Sequence, residues 1–67
     1  MTPSAMGRRV KRLREAKGLS QRALAIKAKV TQGLIHHLET GVVQDVRSQV
    51  VVKLAKALGV PVTELLG

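Results

Sequence analysis

The segment Leu19–Gly41 constrains the fold more than any other, because it encodes two short helices separated by a very short turn. Ser20 and Thr31 each precede a run of residues compatible with a helix. A hydroxyl at such a position accepts a hydrogen bond from an otherwise unpaired N–H group of the first helical turn. The pattern predicts helices near residues 21–28 and 32–40, and a three-residue turn forces two such helices to cross steeply.

Apolar residues of this helix pair lie where the two helices would touch. Ala25 is small enough to let the backbones approach, and Ile35 faces it from the second helix. Further aliphatic residues at helical spacing are expected to fill a shared core: Leu24, Ala28, Val30 and Leu38. Residues 20–40 therefore have the spacing of a helix-turn-helix motif.

Three more helices are predicted outside this motif. Upstream, Met6, Val10 and Leu13 recur at helical spacing and indicate a helix from residue 4 or 5 to 17, which Gly18 stops in a left-handed conformation. Downstream, residues 42–44 form a connection, and Asp45 is the expected N-cap of a fourth helix that ends at residue 58 before a glycine. Its buried stripe consists of Val51, Leu54, Ala55 and Leu58.

A short fifth helix is expected at the end of the sequence. Pro61 suits its edge, since proline is favoured at the start of a helix. Its inward-facing residues are predicted to be Val62, Leu65 and Leu66. The whole chain, residues 1–67, is thus expected to form one all-α domain with five helices.

Composition narrows the classes of protein that remain. The 67 residues include no cysteine, phenylalanine, tryptophan or tyrosine, so an aliphatic core must hold the domain without disulfides or zinc–thiolate sites. No apolar run approaches the roughly 20 residues that span a bilayer, and the N-terminus lacks the apolar segment of a secretory signal. We expect a cytoplasmic protein.

The charge is strongly positive and unevenly distributed. Twelve Lys and Arg residues against four Asp and Glu residues give a formal net charge of +8, and most of the basic residues lie before residue 30. Such a domain attracts polyanions, and binding to duplex DNA would weaken steeply with salt as condensed counterions are released. The alternative interpretation of the charge alone is a solvated, soluble helix face.

The residues of the central segment carry a specific resemblance. Leu19, Ser20, Gln21, Leu24, Ala25, Ile35, Leu38, Glu39 and Gly41 match the pattern of the Cro/C1-type helix-turn-helix domains of phage repressors and Cro proteins, the Xre family. The first helix and the last two helices are also similar to the family, so the resemblance covers nearly all of residues 6–67. It implies a lambda-repressor-like fold and a sequence-specific, double-stranded-DNA-binding transcriptional regulator, with repression as the default role.

Groove geometry then selects the residues that would read bases. The major groove of B-DNA admits an α-helix, and side chains near the helix N-terminus can distinguish base edges there. The candidates are Thr31, Gln32, Gly33, His36 and His37. Gln32 is the strongest, because a carboxamide can bond adenine in a bidentate pair; otherwise it is an ordinary exposed residue. Leu34 could contact thymine methyl groups or pack against the core or a partner.

Contacts to the DNA backbone would hold this helix in register. The candidates are Gln21, Arg22, Lys29, Gly41, Gln44 and Arg47. By resemblance, Gln21 is the family's phosphate-clamping glutamine, and Arg47 is at a position from which some relatives send an arginine into the minor groove. The main-chain N–H groups of residues 41–44 are candidates for the other flank. Lys29 occupies a turn position where the family commonly has glycine, and we expect strain there in exchange for a phosphate contact.

Two further assignments follow from the resemblance. Arg14 and Glu39 match a structural pair between the first and third helices. The family pairs domains on near-palindromic DNA, and the matching homodimer contact is the apolar run Val60, Pro61 and Val62, although all three could be buried within one monomer.

Other functions fit the residues less well. Four scattered acids and two adjacent histidines do not make a convincing catalytic or metal site, so we expect no enzyme, no cofactor and no metal. The interrupted helices are also too short to bind a membrane surface. The main alternative is a protein-docking module such as an antitoxin or a coactivator-like adaptor, which an exposed patch of Ile26 and Leu34 away from DNA would favour.

Overall fold

The computed structural model describes residues 2–67, which form five helices and no strand. The helices are α1 (Ala5–Ala16), α2 (Gln21–Ala28), α3 (Gln32–Thr40), α4 (Ser48–Leu58) and α5 (Thr63–Leu66). This confirms the predicted all-α, five-helix architecture. None of the described helices is long and apolar enough to cross a membrane.

Side-chain caps fix where the first three helices begin. The Ser4 hydroxyl accepts from the Gly7 N–H at 3.0 Å, and the Ser20 hydroxyl accepts from the Ala23 N–H at 3.0 Å. The Thr31 hydroxyl accepts from the N–H of residue 34 at 3.1 Å. Each such cap stabilises a helix by about 1 kcal/mol. The predicted starts of α2 and α3 are therefore confirmed.

The predicted N-cap at Asp45 is wrong, because α4 begins at Ser48, two residues after the start that such a cap would give. Arg47 occupies the N-cap position in an extended conformation and makes no side-chain capping bond. Val46 packs partly buried against the core from this extended segment, and just before Asp45 the Gln44 side chain bonds back to Gly41. These tertiary contacts fix the connection before α4, which is why a local capping signal did not set the start of the helix.

The core is entirely aliphatic, as the composition required. Its fully buried large side chains come from all five helices: Val10, Leu24, Ile35, Leu38, Leu54, Leu58 and Leu65. Four alanines complete it and let the helices approach closely: Ala25, Ala28, Ala55 and Ala57. The prediction that Leu66 faces inward is wrong, since this residue is 61% exposed. Adjacent residues on a helix point about 100° apart, so a four-residue helix that buries Leu65 turns its neighbour outward.

The packing order of the helices leaves one side of α3 uncovered. Helix α2 packs against both α3 and α4, while α1 packs against α3, α4 and α5. Gly18 and Gly59 end α1 and α4 in the left-handed conformation, with φ values of 69° at both positions, as predicted. The result is a bundle about 26 × 23 × 21 Å across in which α3 is held from behind by α1 and α2.

Candidate nucleic-acid interface

The outer face of α3 and its cap is polar and exposed. Thr31, Gln32, Gly33, His36 and His37, the five predicted base-reading residues, are all exposed. On the opposite side of the same helix, Ile35 and Leu38 are completely buried. At 1.5 Å per residue, the exposed residues cover about 9 Å of helix axis. The structure thus brings these five residues onto one accessible surface.

Gly33 leaves a gap in the middle of this surface. A Cβ atom added there would meet nothing within 4 Å, so the protein itself does not require a glycine at this position. Glycine in a helix costs roughly 0.5–1 kcal/mol relative to alanine. What the missing side chain provides is open space in which another molecule could approach the backbone of α3.

The adjacent histidines lie at the far end of the exposed face. Their ring centroids are 5.9 Å apart and their planes are tilted by 53°. No group of three or more His, Asp or Glu side chains within residues 2–67 is arranged to hold a metal ion. Both residues are exposed to solvent, which leaves their ring nitrogens accessible as hydrogen-bond partners.

Lys29 makes the turn into α3 in a left-handed conformation, with φ 60° and ψ 44°. Among residues 2–67 it is the one non-glycine residue with positive φ, which confirms the strained position expected from the sequence. Its N–H donates to main-chain oxygens of the preceding turn, at Ala25 and Ile26. A side chain at such a φ costs about 1–2 kcal/mol relative to glycine.

A buried charged cluster anchors the other end of α3. Glu39 is only 7% exposed and accepts two bonds from Arg14, at 2.8 Å from Nε and 2.9 Å from Nη2. This is the structural pair implied by the resemblance. The Arg14 Nη1 also donates to the Leu19 carbonyl at 2.8 Å, so the third nitrogen is used within the protein. The hydrogen bond to Glu39 raises the pKa of Arg14 further, against the opposing effect of burial.

Gln21 joins this cluster at the start of α2. Its Nε2 donates to a Glu39 carboxylate oxygen at 3.2 Å, which orients the side-chain amide. A carboxamide nitrogen carries two N–H groups, so one remains for an acceptor outside the protein. The sequence suggested Gln21 as a phosphate contact but gave no sign that a buried carboxylate positions it. We call Arg14, Glu39 and Gln21 the anchor cluster.

Gly41 has a structural role at the end of α3. It is buried with φ 90°, and a Cβ added there would lie 2.6 Å from the main-chain oxygen of Thr2. The N–H groups of Gly41 and Val43 both donate to the His37 carbonyl, at 3.1 and 3.0 Å. These two N–H groups, predicted as phosphate donors, are therefore occupied within the protein.

Gln44 also has its side chain committed. Its Nε2 donates to the Gly41 carbonyl at 2.8 Å and to the Thr2 carbonyl at 3.0 Å, which uses both N–H groups. Since both partners are carbonyl oxygens, the orientation of the amide is fixed by chemistry. The main-chain N–H groups of Val42 and Gln44 donate to no main-chain acceptor within residues 2–67. These two remain the candidates of the connection.

The N-terminal residues 2–4 form an arm that sequence reasoning missed. The Thr2 carbonyl accepts from Gln44, and the Pro3 carbonyl accepts from Arg8 Nη1 at 2.9 Å. The arm thereby crosses the end of α3 at Gly41, while Gly7 lets the backbone of α1 approach that of α3 at Leu38. Two glycines far apart in sequence were the only available signal, and neither lies in a periodic pattern.

The remaining predicted contacts are exposed or only partly buried. Arg22, in the first turn of α2, and Arg47, before α4, are exposed, and their side chains make no hydrogen bond or ion pair with residues 2–67. Val60 and Val62 are partly buried and pack against the core, so of the three predicted dimer residues only Pro61 is exposed. Ile26 is 68% exposed, whereas Leu34 is partly buried.

Comparisons with known proteins agree with this geometry. The model of the helix-turn-helix domain family matches residues 5–66. Comparison with curated protein sequences gave no significant match.

Several solved structures of regulators resemble the chain over nearly its whole length. The restriction-modification controller protein C.AhdI from Aeromonas hydrophila is 36% identical over 91% of each chain, with a TM-score of 0.85. SinR, the master regulator for biofilm formation, was solved in complex with DNA and is 32% identical over 92% of this chain and 98% of its own, with a TM-score of 0.90. The clp gene regulator ClgR from C. glutamicum is 32% identical over 92% of this chain and 79% of its own, with a TM-score of 0.81.

Proposed function

The chain belongs to the helix-turn-helix domain family and resembles Cro/C1-type regulators, and from that premise we propose that it is a sequence-specific regulator that inserts α3 into the major groove of DNA. One observation carries this proposal: α3 is polar and exposed on one side and buried on the other. An element of that shape can enter a groove without giving up core contacts. The net charge of +8 supplies the attraction to phosphates.

Base reading is assigned to the N-terminal turns of α3. Gln32 is the first helical residue and is exposed, so its carboxamide is free to bond an adenine, with roughly 1–3 kcal/mol of discrimination. Thr31, His36 and His37 flank it on the same surface. Gly33 contributes by its missing side chain, which lets the α3 backbone approach the bases.

Phosphate contacts are assigned to both flanks of α3. On one side, the free N–H of Gln21 and the Arg22 side chain lie in the first turn of α2, where the helix dipole also favours an anion. On the other side are the main-chain N–H groups of Val42 and Gln44 together with Arg47. Lys29, at the turn, supplies a further positive charge. Gly41 is left out because its N–H is already bonded.

The functional unit is proposed to be a homodimer on a near-palindromic operator, with half-sites about 10 base pairs apart. Pro61, with the exposed Leu66 nearby in sequence, is the apolar surface available for that contact. Repression needs only occupation of a promoter, so it is the simplest regulatory outcome. The protein would act in the cytoplasm, on the nucleoid, without a cofactor and without catalysis.

A second candidate function is protein docking, as in an antitoxin or a coactivator-like adaptor. The observation that favours it is Ile26, which is 68% exposed on α2. Leu34 is partly buried, so the expected two-residue patch is smaller than the sequence suggested. This candidate uses the same fold but would leave the α3 surface without a ligand.

Selection of bound duplexes from a random DNA pool at near-physiological salt tests the proposal. The expected result is enrichment of an inverted repeat with a fixed half-site spacing. Binding without enrichment would contradict sequence-specific regulation, because it would reduce the interaction to charge attraction. It would then favour the docking module.

A further inference from the structure

A groove of about 300 Å³ opens between α2 and α4, and of the residues proposed to contact DNA only Lys29 lines it. Its lining combines four lysines with two alanines: Lys27, Ala28, Lys29, Lys53, Lys56 and Ala57. Both alanines are at least 95% buried and form an apolar floor. We call this feature the lysine groove. Its volume is at the lower end of that of ligand sites, which begin at roughly 300 Å³.

The four ammonium groups have no acidic partners. Within residues 2–67 no carboxylate lies within 4.0 Å of any of the four, since the described ion pairing is confined to Arg14 and Glu39. Lys27 and Lys56 lie in the last turns of their helices, where a cation offsets the helix dipole. That effect does not account for Lys53, in the middle of α4, or for Lys29, after the end of α2. Four unpaired like charges around one concavity repel one another and favour a polyanionic occupant.

The main-chain chemistry of the groove distinguishes between polyanions. The groove lies at the C-terminal ends of α2 and α4, where the carbonyls of Lys27, Ala28 and Ala57 accept no main-chain hydrogen bond from residues 2–67. Phosphate sites instead use the N–H groups at helix N-termini. A peptide carries N–H donors for such carbonyls as well as carboxylates for the lysines, whereas the sugar–phosphate backbone of DNA offers acceptors only. The groove therefore fits an acidic peptide better than a phosphate chain.

Apart from Lys29, the groove lies away from the proposed DNA surface. Helix α2 packs between α3 and α4, so the lysines of α4 lie across α2 from the exposed face of α3. A second copy of this chain is a poor occupant. Its acids are Glu15, Glu39, Asp45 and Glu64, of which the closest two are six residues apart in sequence and one of these, Glu39, is buried. Residues 1–67 therefore offer no acidic segment that could fill the groove of a second copy.

We propose that the lysine groove docks an acidic, extended segment of a partner protein while α3 remains free for DNA. Carboxylates of the segment pair with the ammonium groups of Lys27, Lys53 and Lys56, which the DNA contact does not use, and its small apolar side chains lie on Ala28 and Ala57. This goes beyond the proposed DNA contact, because it gives the domain a second, simultaneous partner.

A labelled peptide with defined charge tests this docking. The probe is a fluorescein-labelled peptide of four Glu-Glu-Ala repeats, and the control probe has Gln in place of Glu. The variant is Lys53→Gln with Lys56→Gln, which leaves Lys29 and the α3 surface intact. The matched control removes the same charge from α1, by Lys11→Gln with Arg12→Gln, at exposed positions outside the groove. Fluorescence anisotropy gives the affinity, with and without bound duplex DNA.

The expected result is saturable binding of the Glu peptide, weakened about 2- to 30-fold in the groove variant and clearly less in the α1 control. The DNA affinity and the salt slope of the groove variant should differ from those of the wild type by no more than those of the α1 control do. Equal weakening of the peptide in both variants would overturn the proposal, since only net charge would then matter. So would absence of saturable binding, or a DNA salt slope that falls by about two in the groove variant alone, which would identify the groove as a phosphate contact.

Discussion

The two ends of α3 differ in nearly every physical respect. At its start, Thr31 caps the helix, Gln32 and Gly33 are exposed, and the Gln32 side chain makes no hydrogen bond with residues 2–67. At its end, Glu39 is buried and accepts bonds from two other helices, and Gly41 is covered by the N-terminal arm. The contacts that stabilise the fold are thus concentrated at the end of α3, and the polar groups that are free to bind a ligand lie at its start. Substitutions should separate these two properties.

The largest effect is expected at Glu39. Glu39→Ala removes both Arg14 bonds and the Gln21 bond and leaves a nearly buried guanidinium without its partner, which should cost about 3 kcal/mol of unfolding free energy. A domain of this size has little more than that to lose. Urea unfolding followed by circular dichroism measures the change. The control is the double variant Arg14→Met with Glu39→Leu, which leaves no unpaired charge and should lose clearly less unfolding free energy than Glu39→Ala. A larger loss in the double variant would contradict the claim that the unpaired guanidinium causes the loss in Glu39→Ala.

A smaller loss is expected at Gly41. Gly41→Ala places a Cβ at positive φ, which costs about 1–2 kcal/mol, and drives it into the Thr2 main chain. The measurement is the unfolding free energy of Gly41→Ala and of its parent, each with and without residues 1–3. The loss caused by the alanine should be smaller when residues 1–3 are absent, because the clash with Thr2 is then removed. If the alanine variant loses the same amount with and without the arm, the close approach of Thr2 contributes nothing.

The smallest effect on stability is expected at Lys29. Lys29→Gly relieves left-handed strain but adds backbone entropy to the unfolded chain, for a net gain of about 0.5 kcal/mol. If Lys29 contacts a phosphate, the salt slope of DNA binding should fall by about 0.9. Lys29→Asn serves as the control, because asparagine tolerates the same backbone without the charge. An unchanged slope in both variants would remove Lys29 from the interface.

The comparison also explains which features the sequence could predict. The bounds of α2 and α3 followed from local signals, since Ser20 and Thr31 cap their helices within three residues. The start of α4 did not, because it depends on contacts of Gln44 and Val46 with parts of the protein distant in sequence. The prediction that Leu66 is buried failed for a different reason. Both leucines of α5 are apolar and were assigned to the core, but the geometry of so short a helix buries only Leu65.

The candidate site was predictable in its exposed half and not in its anchored half. The α3 surface follows from helical periodicity once Ile35 and Leu38 are assigned to the core. The pairing of Arg14 with Glu39 came from family resemblance, not from spacing. Neither route indicated that Gln21 would bond to Glu39, or that the Gln44 amide would be used up by Thr2 and Gly41. Such bonds depend on where three chain segments meet.

The measurement that tests the central claim most directly is DNA affinity across a complete set of single-base operator variants. It compares wild type with Gln32→Ala and with Gln49→Ala, whose glutamine is exposed on α4 and serves as the matched control. If the exposed end of α3 reads bases, Gln32→Ala should abolish a preference of about 1–3 kcal/mol at one position of each half-site. Its unfolding free energy should stay unchanged, and Gln49→Ala should behave as wild type. A uniform weakening across all operator variants, or the same profile in both alanine variants, would contradict the assignment of base reading to this end of α3.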